Sequence, residues 1–506
     1  MLVQNSPKKK YIYIMTNIST IVSAPGKVLI AGGYVVLDPR CTGLVIATEA
    51  RFYAKVQDQH WKPSTATDGL KDDLSRNKIS VLVKSPQFSD AVWNYSIHYD
   101  GNDICVTFDS TAMSRNPFVE AALKCTMAYY LAKQSEAPQE SLVITVNASN
   151  DFYSQSDYLK SKGLEITADA LQSLPRFNCL DIPIDKVSKT GLGSSAAMVT
   201  SLIGSLMVHL GLASTANGAI VSGLTSICRL AHIAHSIAQG KIGSGFDISA
   251  ATYGSHTYKR FSPSILDHVL SSSSDPDVNF TQSLVRCVDG PWDLSVEPCR
   301  LPKGLVMMLG DIRGGSNTPK LVSTVLEWKR NNPVEAEDLW IQLDGLNVTL
   351  CQLFLKLDKL SSQFVAEYIQ VLQLCGSLSF PKWKTLLTSN IETNDVKRSV
   401  VETLLTIRET FQSIRALLRT LTVLTGTPIE PSQQTRILDA CSEVPGVLIA
   451  GIPGAGGFDA IFCIVLSEDA KHRVESLWQT WKPINIVPLI QTEANEGILV
   501  ESNGLF

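Results

Sequence analysis

The chain has no CxxC pair, no surplus of positive charge and no apolar run long enough to span a bilayer, and each absence removes a class of function. Its 11 cysteines in 506 residues are odd in number and scattered from Cys41 to Cys463. That is neither a disulfide framework nor a zinc ribbon, and it fits a reducing compartment. A net charge of -4 gives no basic excess to draw nucleic acid or an anionic membrane, so neither is expected as a partner. The opening residues MLVQNSPKKKYIYIM lack the long apolar core and small-residue cleavage site of a signal peptide. No internal repeat or heptad run is present. These exclusions leave a cytoplasmic protein that acts on a small molecule, with residues 1–18 as a tail ahead of the first strand and Met15 as a second candidate start.

With 44% hydrophobic and 18% charged residues, the composition is that of a globular protein large enough for two or three domains. From Thr20 to Phe108 the runs VLIAGGYVVL, LVIATEARFYAKV, ISVLVKS and NDICVTFDS alternate with turn residues and predict strands. A helix is predicted over Pro117 to Lys133, with Asn116 as N-cap and Pro117 at the first helical position, and a strand over Ser141 to Ser149. The polar segment Asn150 to Lys189 is too long for a routine connection and reads as a functional or mobile loop. SSAAMVTSLIGSLMVHLG and ANGAIVSGLTSICRLAHIAHSIAQG read as two apolar helices. After Gly304 come a strand, a glycine turn, a mostly helical region to about Thr425, then strand, glycine loop and strand. The boundary falls near Leu301, giving an N-terminal domain at 19–300 and a C-terminal domain at 301–506.

Lys189 to Met198 reads KTGLGSSAAM. Two glycines let backbone N–H groups approach an anion, and a helix starting at the serines would aim its positive end at the same point. An ordinary loop capping a helix explains the same residues equally well. The stretch is not GxxxxGK[ST], it fails GxGxxG at Ala196, and the SxxK that would accompany a β-lactamase KTG falls at Ser6 to Lys9 in the tail.

Three further stretches bear on the choice: SAPGKVLIAGGYVVL from Ser23 to Leu37, GKIGSGFDISAATYG from Gly240 to Gly254, and PGAGGFDAIFCIVL from Pro453 to Leu466. With KTGLGSSAA, in this order and at this wide spacing, they resemble the signature motifs of the GHMP kinases from Thr20 to the end of the chain. Within that family, GDIRGGSNTPKLVSTVLEW and the chain length are similar to eukaryotic, especially fungal, phosphomevalonate kinases. The resemblance implies an α+β protein of two lobes, with a ribosomal-protein-like ATP-binding N-terminal lobe, a ferredoxin-like C-terminal lobe carrying extra helices, and the active site between them. It implies transfer of the γ-phosphoryl group of ATP, with Mg2+, to 5-phosphomevalonate by a monomer or homodimer.

The resemblance also implies roles for residues. Lys189, Thr190, Gly191, Leu192, Gly193, Ser194, Ser195, Ala196 and Ala197 would wrap the ATP phosphates, with Ser194 or Ser195 touching the metal. Asp247 would be catalytic and Lys27 its partner, although local sequence alone favours Asp247 as a helix cap and Lys27 as a solvated charge. Gly245, Arg313, Ser316, Asn317, Thr318, Lys320, Gly454, Gly456 and Gly457 would meet the acceptor, with Lys241 a further cation in reach. One departure is plain. Mevalonate kinases place a magnesium-binding Glu on the helix before the catalytic Asp, and here Ser236 stands there, with no acidic residue between Arg229 and Gly245. His232 and His235 share a helix face but lack HExxH or a third ligand, so they read as helix surface or core polar groups.

Overall fold

The computed structural model describes residues 19–59, 78–99, 103–108, 115–134, 141–275, 278–312, 318–388, 394–489, 492–494, 496–502 and 504. Its first lobe is built on a nine-stranded sheet. β1 (Ser19–Ala31) runs antiparallel along β2 (Gly43–Gln59) and is buried over almost its whole length. The expected strand VLIAGGYVVL ends early. Gly32 and Tyr34 both take positive φ, which turns the chain, and Val35–Leu37 form a short 3-10 helix instead. β3 (Lys78–Lys84), β4 (Val92–Tyr99) and β5 (Ile104–Phe108) make an antiparallel meander. β4 is an addition to the expected strands, with Trp93, Tyr95 and Ile97 alternating into the core.

Helix α1 (Pro117–Lys133) starts where the sequence predicts, because the Asn116 side-chain oxygen accepts from the Phe118 and Val119 N–H groups. It returns the chain to β6 (Ser141–Ala148), which fits antiparallel beside β2 and parallel beside β3. The segment that follows is folded, with short helices α2 (Ser156–Ser161) and α3 (Ala168–Gln172). Its ends are tied together: Ser154 N–H donates to Ser188 O, Thr190 N–H to Phe152 O, and the Thr190 hydroxyl to Asp151 O.

α4 (Ser194–His209) and α5 (Leu224–Gln239) are the two apolar helices, but ANGAIVSG does not begin the second. It forms the hairpin β7 (Ser214–Ala216) and β8 (Ala219–Ser222) around Asn217 and Gly218, both at positive φ. An Asn-Gly pair is the combination that a two-residue hairpin turn of this hand requires. After α6 (Phe246–Tyr253), which packs on β1 beside α4, the chain runs through β9 (His256–Lys259), α7 (Asp267–Ser272), α8 (Phe280–Asp289) and β10 (Ser295–Pro298). The sheet edge is thereby extended in the order β10–β9–β2.

The second lobe opens with β11 (Val306–Asp311) and then helices α9 (Thr318–Asn331), α10 (Pro333–Gln363), α11 (Val365–Ser377), α12 (Phe380–Leu386) and α13 (Asp395–Thr425). It closes with α14 (Ser432–Glu443), β12 (Val447–Gly451), β13 (Ala460–Val465), α15 (Glu468–Thr480) and β14 (Val487–Leu489). The four strands are antiparallel in the order β12–β13–β11–β14, and α10 lies along α13.

The last residues leave this lobe and return to the first. β15 (Leu499–Val500) pairs with Val22 and Ser23 of β1, and the Glu493 carboxylate accepts from Leu301 N–H at the junction between lobes. The boundary near Leu301 therefore divides the chain only as far as β14. Buried Arg51 fastens the returning segment, donating to the Ser23 hydroxyl and to the carbonyls of Ser23, Glu496 and Gly497. Arg51→Met strands those carbonyls without a donor, and an expected loss of about 2–4 kcal/mol would appear as a lowered Tm in calorimetry.

Candidate active site

Four stretches far apart in sequence meet in one cleft of about 740 Å3 between the lobes. Lys27 enters it from β1, just past an irregularity in the β1–β2 register at Pro25 and Gly26. Its backbone N–H donates to Leu192 O at 2.9 Å and its ammonium to Gly191 O at 3.0 Å, so the strand and the KTGLGSS turn hold each other. Gly193 precedes α4 in the left-handed region, and a Cβ there would stand 3.0 Å from Lys27 Cε. Glycine is thus required twice, for the conformation and for the lysine beside it. The first-turn N–H groups of α4 have no partners inside the helix, and a helix N-terminus of this kind attracts anions; Ser194 and Ser195 line the cleft there.

Asp247 stands in the first turn of α6, where a carboxylate is favoured by the helix dipole, and its Oδ1 accepts from Ile248 N–H. Gly245, not Asp247, is the residue that caps this helix. The loop before it is held by Arg260, whose guanidinium donates to the carbonyls of Leu37, Ile242 and Gly243, and by the Tyr258 hydroxyl on Ser244 O. The second lobe reaches the same cleft through Gly454, Ala455, Gly456 and Asp459 and through the α9 residues Thr318, Pro319 and Val322. The lobes touch directly there: Tyr34 donates its hydroxyl to Ala455 O at 2.6 Å, Gly454 N–H donates to Leu29 O, and a Cβ on Gly33 would come within 2.6 Å of Gly454 O.

Of the residues singled out from sequence, Lys27, Lys189, Thr190, Gly191, Leu192, Gly193, Ser194, Ser195, Lys241, Asp247, Thr318, Gly454 and Gly456 line this cleft. Ala196 and Ala197 are buried behind it. Gly245 sits against His232 and Tyr258 rather than on the cleft wall, and Gly457 gives its N–H to Ile429 O. Lys320 is exposed on α9, outside the lining. Arg313, Ser316 and Asn317 lie outside the described residues. Sequence reasoning passed over Tyr34 and Asp459, although both stood inside quoted motifs, and over Arg260, which has no local signal.

Burial pulls the Lys27 ammonium below the ordinary lysine value, while the Asp247 and Asp459 carboxylates draw it back up. His235 Nε2 lies 3.0 Å from the Ser195 hydroxyl and 3.3 Å from the Gln239 amide nitrogen. Of the two expected readings of these histidines, core polar groups is the one that holds: both are buried, and burial lowers both, His232 to about 3. No cluster of three or more His, Cys, Asp and Glu capable of holding a metal occurs among the described residues.

No protein-family model matches the chain. A phosphomevalonate kinase of Arabidopsis thaliana, described as peroxisomal, is 34% identical over 509 residues, covering 96% of this chain and 96% of its own length. One from Aspergillus fumigatus is 36% identical over 487 residues, 92% of this chain and 90% of its own. The chain belongs to the phosphomevalonate kinase family. Its fold agrees with that membership. The structure of Streptococcus pneumoniae phosphomevalonate kinase in complex with phosphomevalonate and AMPPNP matches over 95% of this chain and 100% of its own, with TM-score 0.55 at 14% identity. A Listeria innocua protein matches over 96% and 100%, with TM-score 0.61 at 16% identity.

The buried histidines set a pH limit on the fold. His232, His235 and His256 are all lowered by burial, His256 to about 4, whereas each takes a proton near 6.5 when unfolded. Their contribution to stability is complete above that value and is lost as pH falls below it. Glu493, raised by burial to about 7, works in the opposite sense over the same window and offsets about one of the three. Denaturant titrations at pH 6.5 and 5.5 are expected to differ, with the acidic sample weaker.

Proposed function

We propose that the chain transfers the γ-phosphoryl group of ATP to the phosphate of 5-phosphomevalonate, giving ADP and 5-diphosphomevalonate for isoprenoid and sterol synthesis. The observation that carries this reading is the convergence of Lys27, the α4 N-terminus and Asp247 on one cleft in a chain alike over nearly its whole length to phosphomevalonate kinases. In this reading the first lobe binds ATP, with the turn from Lys189 to Ser195 around its phosphates, and the second lobe closes the acceptor side.

The donor set fits Mg2+. The Ser194 and Ser195 hydroxyls and the two cleft carboxylates are hard oxygen ligands, few enough to leave positions for phosphate oxygens and water. When bound, the ion neutralises charge on the ATP phosphates. The chain's own residues do the rest. Lys27 brings a positive charge to the transferred group, and the α4 N–H groups hold the phosphates left behind.

A phosphate acceptor changes what Asp247 is needed for. The second pKa of a phosphate monoester is about 6, so the acceptor is mostly ionised at neutral pH and needs no base. Asp247 instead keeps Lys27 charged and aimed. The 11 free cysteines support a reducing compartment, and we place the reaction in the cytoplasm. No helix among the described residues is long and apolar enough to cross a membrane.

ADP release from magnesium ATP, measured with 5-phosphomevalonate and with mevalonate in separate reactions and with Asp247→Ala as blank, is expected only with the phosphorylated acceptor. Turnover on mevalonate would make the protein a mevalonate kinase, and ATP binding without turnover on either would make it a sensor. Asp247→Asn is expected to lower the rate by the same factor above and below the acceptor's second pKa. A loss that grows as pH falls would instead identify Asp247 as a true base.

A further inference from the structure

The glycine turn that the second lobe presents to the cleft has little stiffness of its own. Gly454, Gly456 and Gly457 all take positive φ, from 68° to 94°, and without side chains they leave the turn's place to the contacts around it. On the cleft side these are Tyr34 to Ala455 O and Gly454 N–H to Leu29 O. Behind the turn lies a small cavity of about 20 Å3, lined by Asn347, Arg415, Glu430, Gly454 and Gly456 among others, so packing from that side is incomplete. The contact made there is Ile429 O, which accepts from Gly457 N–H at 3.0 Å. A Cβ on Gly456 would collide with that same oxygen.

The residue after Ile429 is Glu430, and its carboxylate is held on both oxygens. Arg415 of α13 donates from Nε to Oε2 at 3.0 Å and from Nη2 to Oε1 at 2.7 Å, and Arg419 adds a donor to Oε1 at 3.1 Å. The Arg415 and Glu430 side chains are 5% and 3% exposed, and Arg415 Nη2 also reaches Asp439 of α14 at 3.0 Å. A buried pair often stabilises a fold no more than apolar residues of the same size would, because desolvation offsets the attraction. What its forked, two-bond geometry fixes is position. We propose that Arg415 and Glu430 are positioning residues for the acceptor: they lock the Ile429 carbonyl to α13, and that carbonyl holds the glycine turn where it closes on 5-phosphomevalonate. The acceptor side of the cleft is thereby tied to the long helix behind it by two residues, neither of which lines the cleft.

The inference rests on the kinase reading, and its tests separate the two. Glu430→Gln keeps the size of the side chain and removes the charge that grips both arginines. It is expected to raise KM for 5-phosphomevalonate by about tenfold, while the Kd for AMPPNP, measured by calorimetry, changes by less than about twofold. A residue that only stabilised the fold would lower the active fraction, and so kcat, and leave both constants where they are. Arg419 is 39% exposed on its side of the pair, so Arg419→Met leaves the Arg415 fork intact and keeps the test open if Glu430→Gln does not fold; it is expected to raise the same KM by about threefold. An unchanged KM in whichever variant folds, or one that rises in step with the AMPPNP Kd, would overturn the inference while leaving the activity intact. Should the wild-type protein show no turnover, amide hydrogen exchange decides the matter without catalysis. The Gly457 amide is expected to exchange about tenfold faster in Glu430→Gln, or failing that in Arg419→Met, than in the wild type, with β12 and β13 unchanged. Equal protection of Gly457 would overturn the role.

Discussion

Everything at this site follows from the difficulty of keeping one ammonium charged in a half-buried cleft. Burial works against the Lys27 charge, yet the reaction needs a cation where two strongly anionic phosphates approach each other. The Asp247 and Asp459 carboxylates draw that charge back up, Gly191 O accepts from the ammonium, and the glycine at 193 leaves the lysine room to reach. The phosphate loop has no lysine beyond Lys189 at its entrance, and Lys27 of β1 brings an ammonium to its Gly191 carbonyl.

The lobes are joined at the cleft by close backbone approach and by one tyrosine hydroxyl. Gly33 and Gly454 approach too closely for a Cβ on the former, and the Tyr34 hydroxyl spans to Ala455. An ion-pair network adds to this on the rim, where Asp38 and Arg40 of the first lobe meet Lys329 and Glu337 of the second. Pairs of this kind near the surface contribute little each, but they tie Lys329 of α9 and Glu337 of α10 to the first lobe. The returning C-terminal segment, fastened by Arg51, makes the first lobe depend on residues beyond the second.

The four glycine stretches were legible because each needs residues without side chains at a fixed place, and such needs mark the sequence. Asn116 and Pro117 announced α1 for a similar reason, since a cap is local chemistry. The parts that were not legible depend on distant contacts. Arg260 is an ordinary residue in a strand-like run until the fold brings Leu37, Ile242 and Gly243 to it. Sequence left His232 and His235 open between helix surface and core because helical spacing does not say which face is covered. The hairpin at Asn217-Gly218 was a local signal overridden by the apolar pattern of the helix that follows. Asp459 was visible in its motif, yet nothing nearby in sequence tells that it shares a cleft with Lys27.

The most direct test of the central claim is a paired measurement on Lys27→Met: kcat for ADP release with 5-phosphomevalonate, and the Kd for AMPPNP by calorimetry. If the ammonium acts chiefly on charge developed during transfer, kcat falls by about 10²–10³-fold while nucleotide affinity changes by less than about tenfold. A variant that turns over within a few-fold of the wild-type rate, or that loses nucleotide binding as steeply as turnover, would contradict the account.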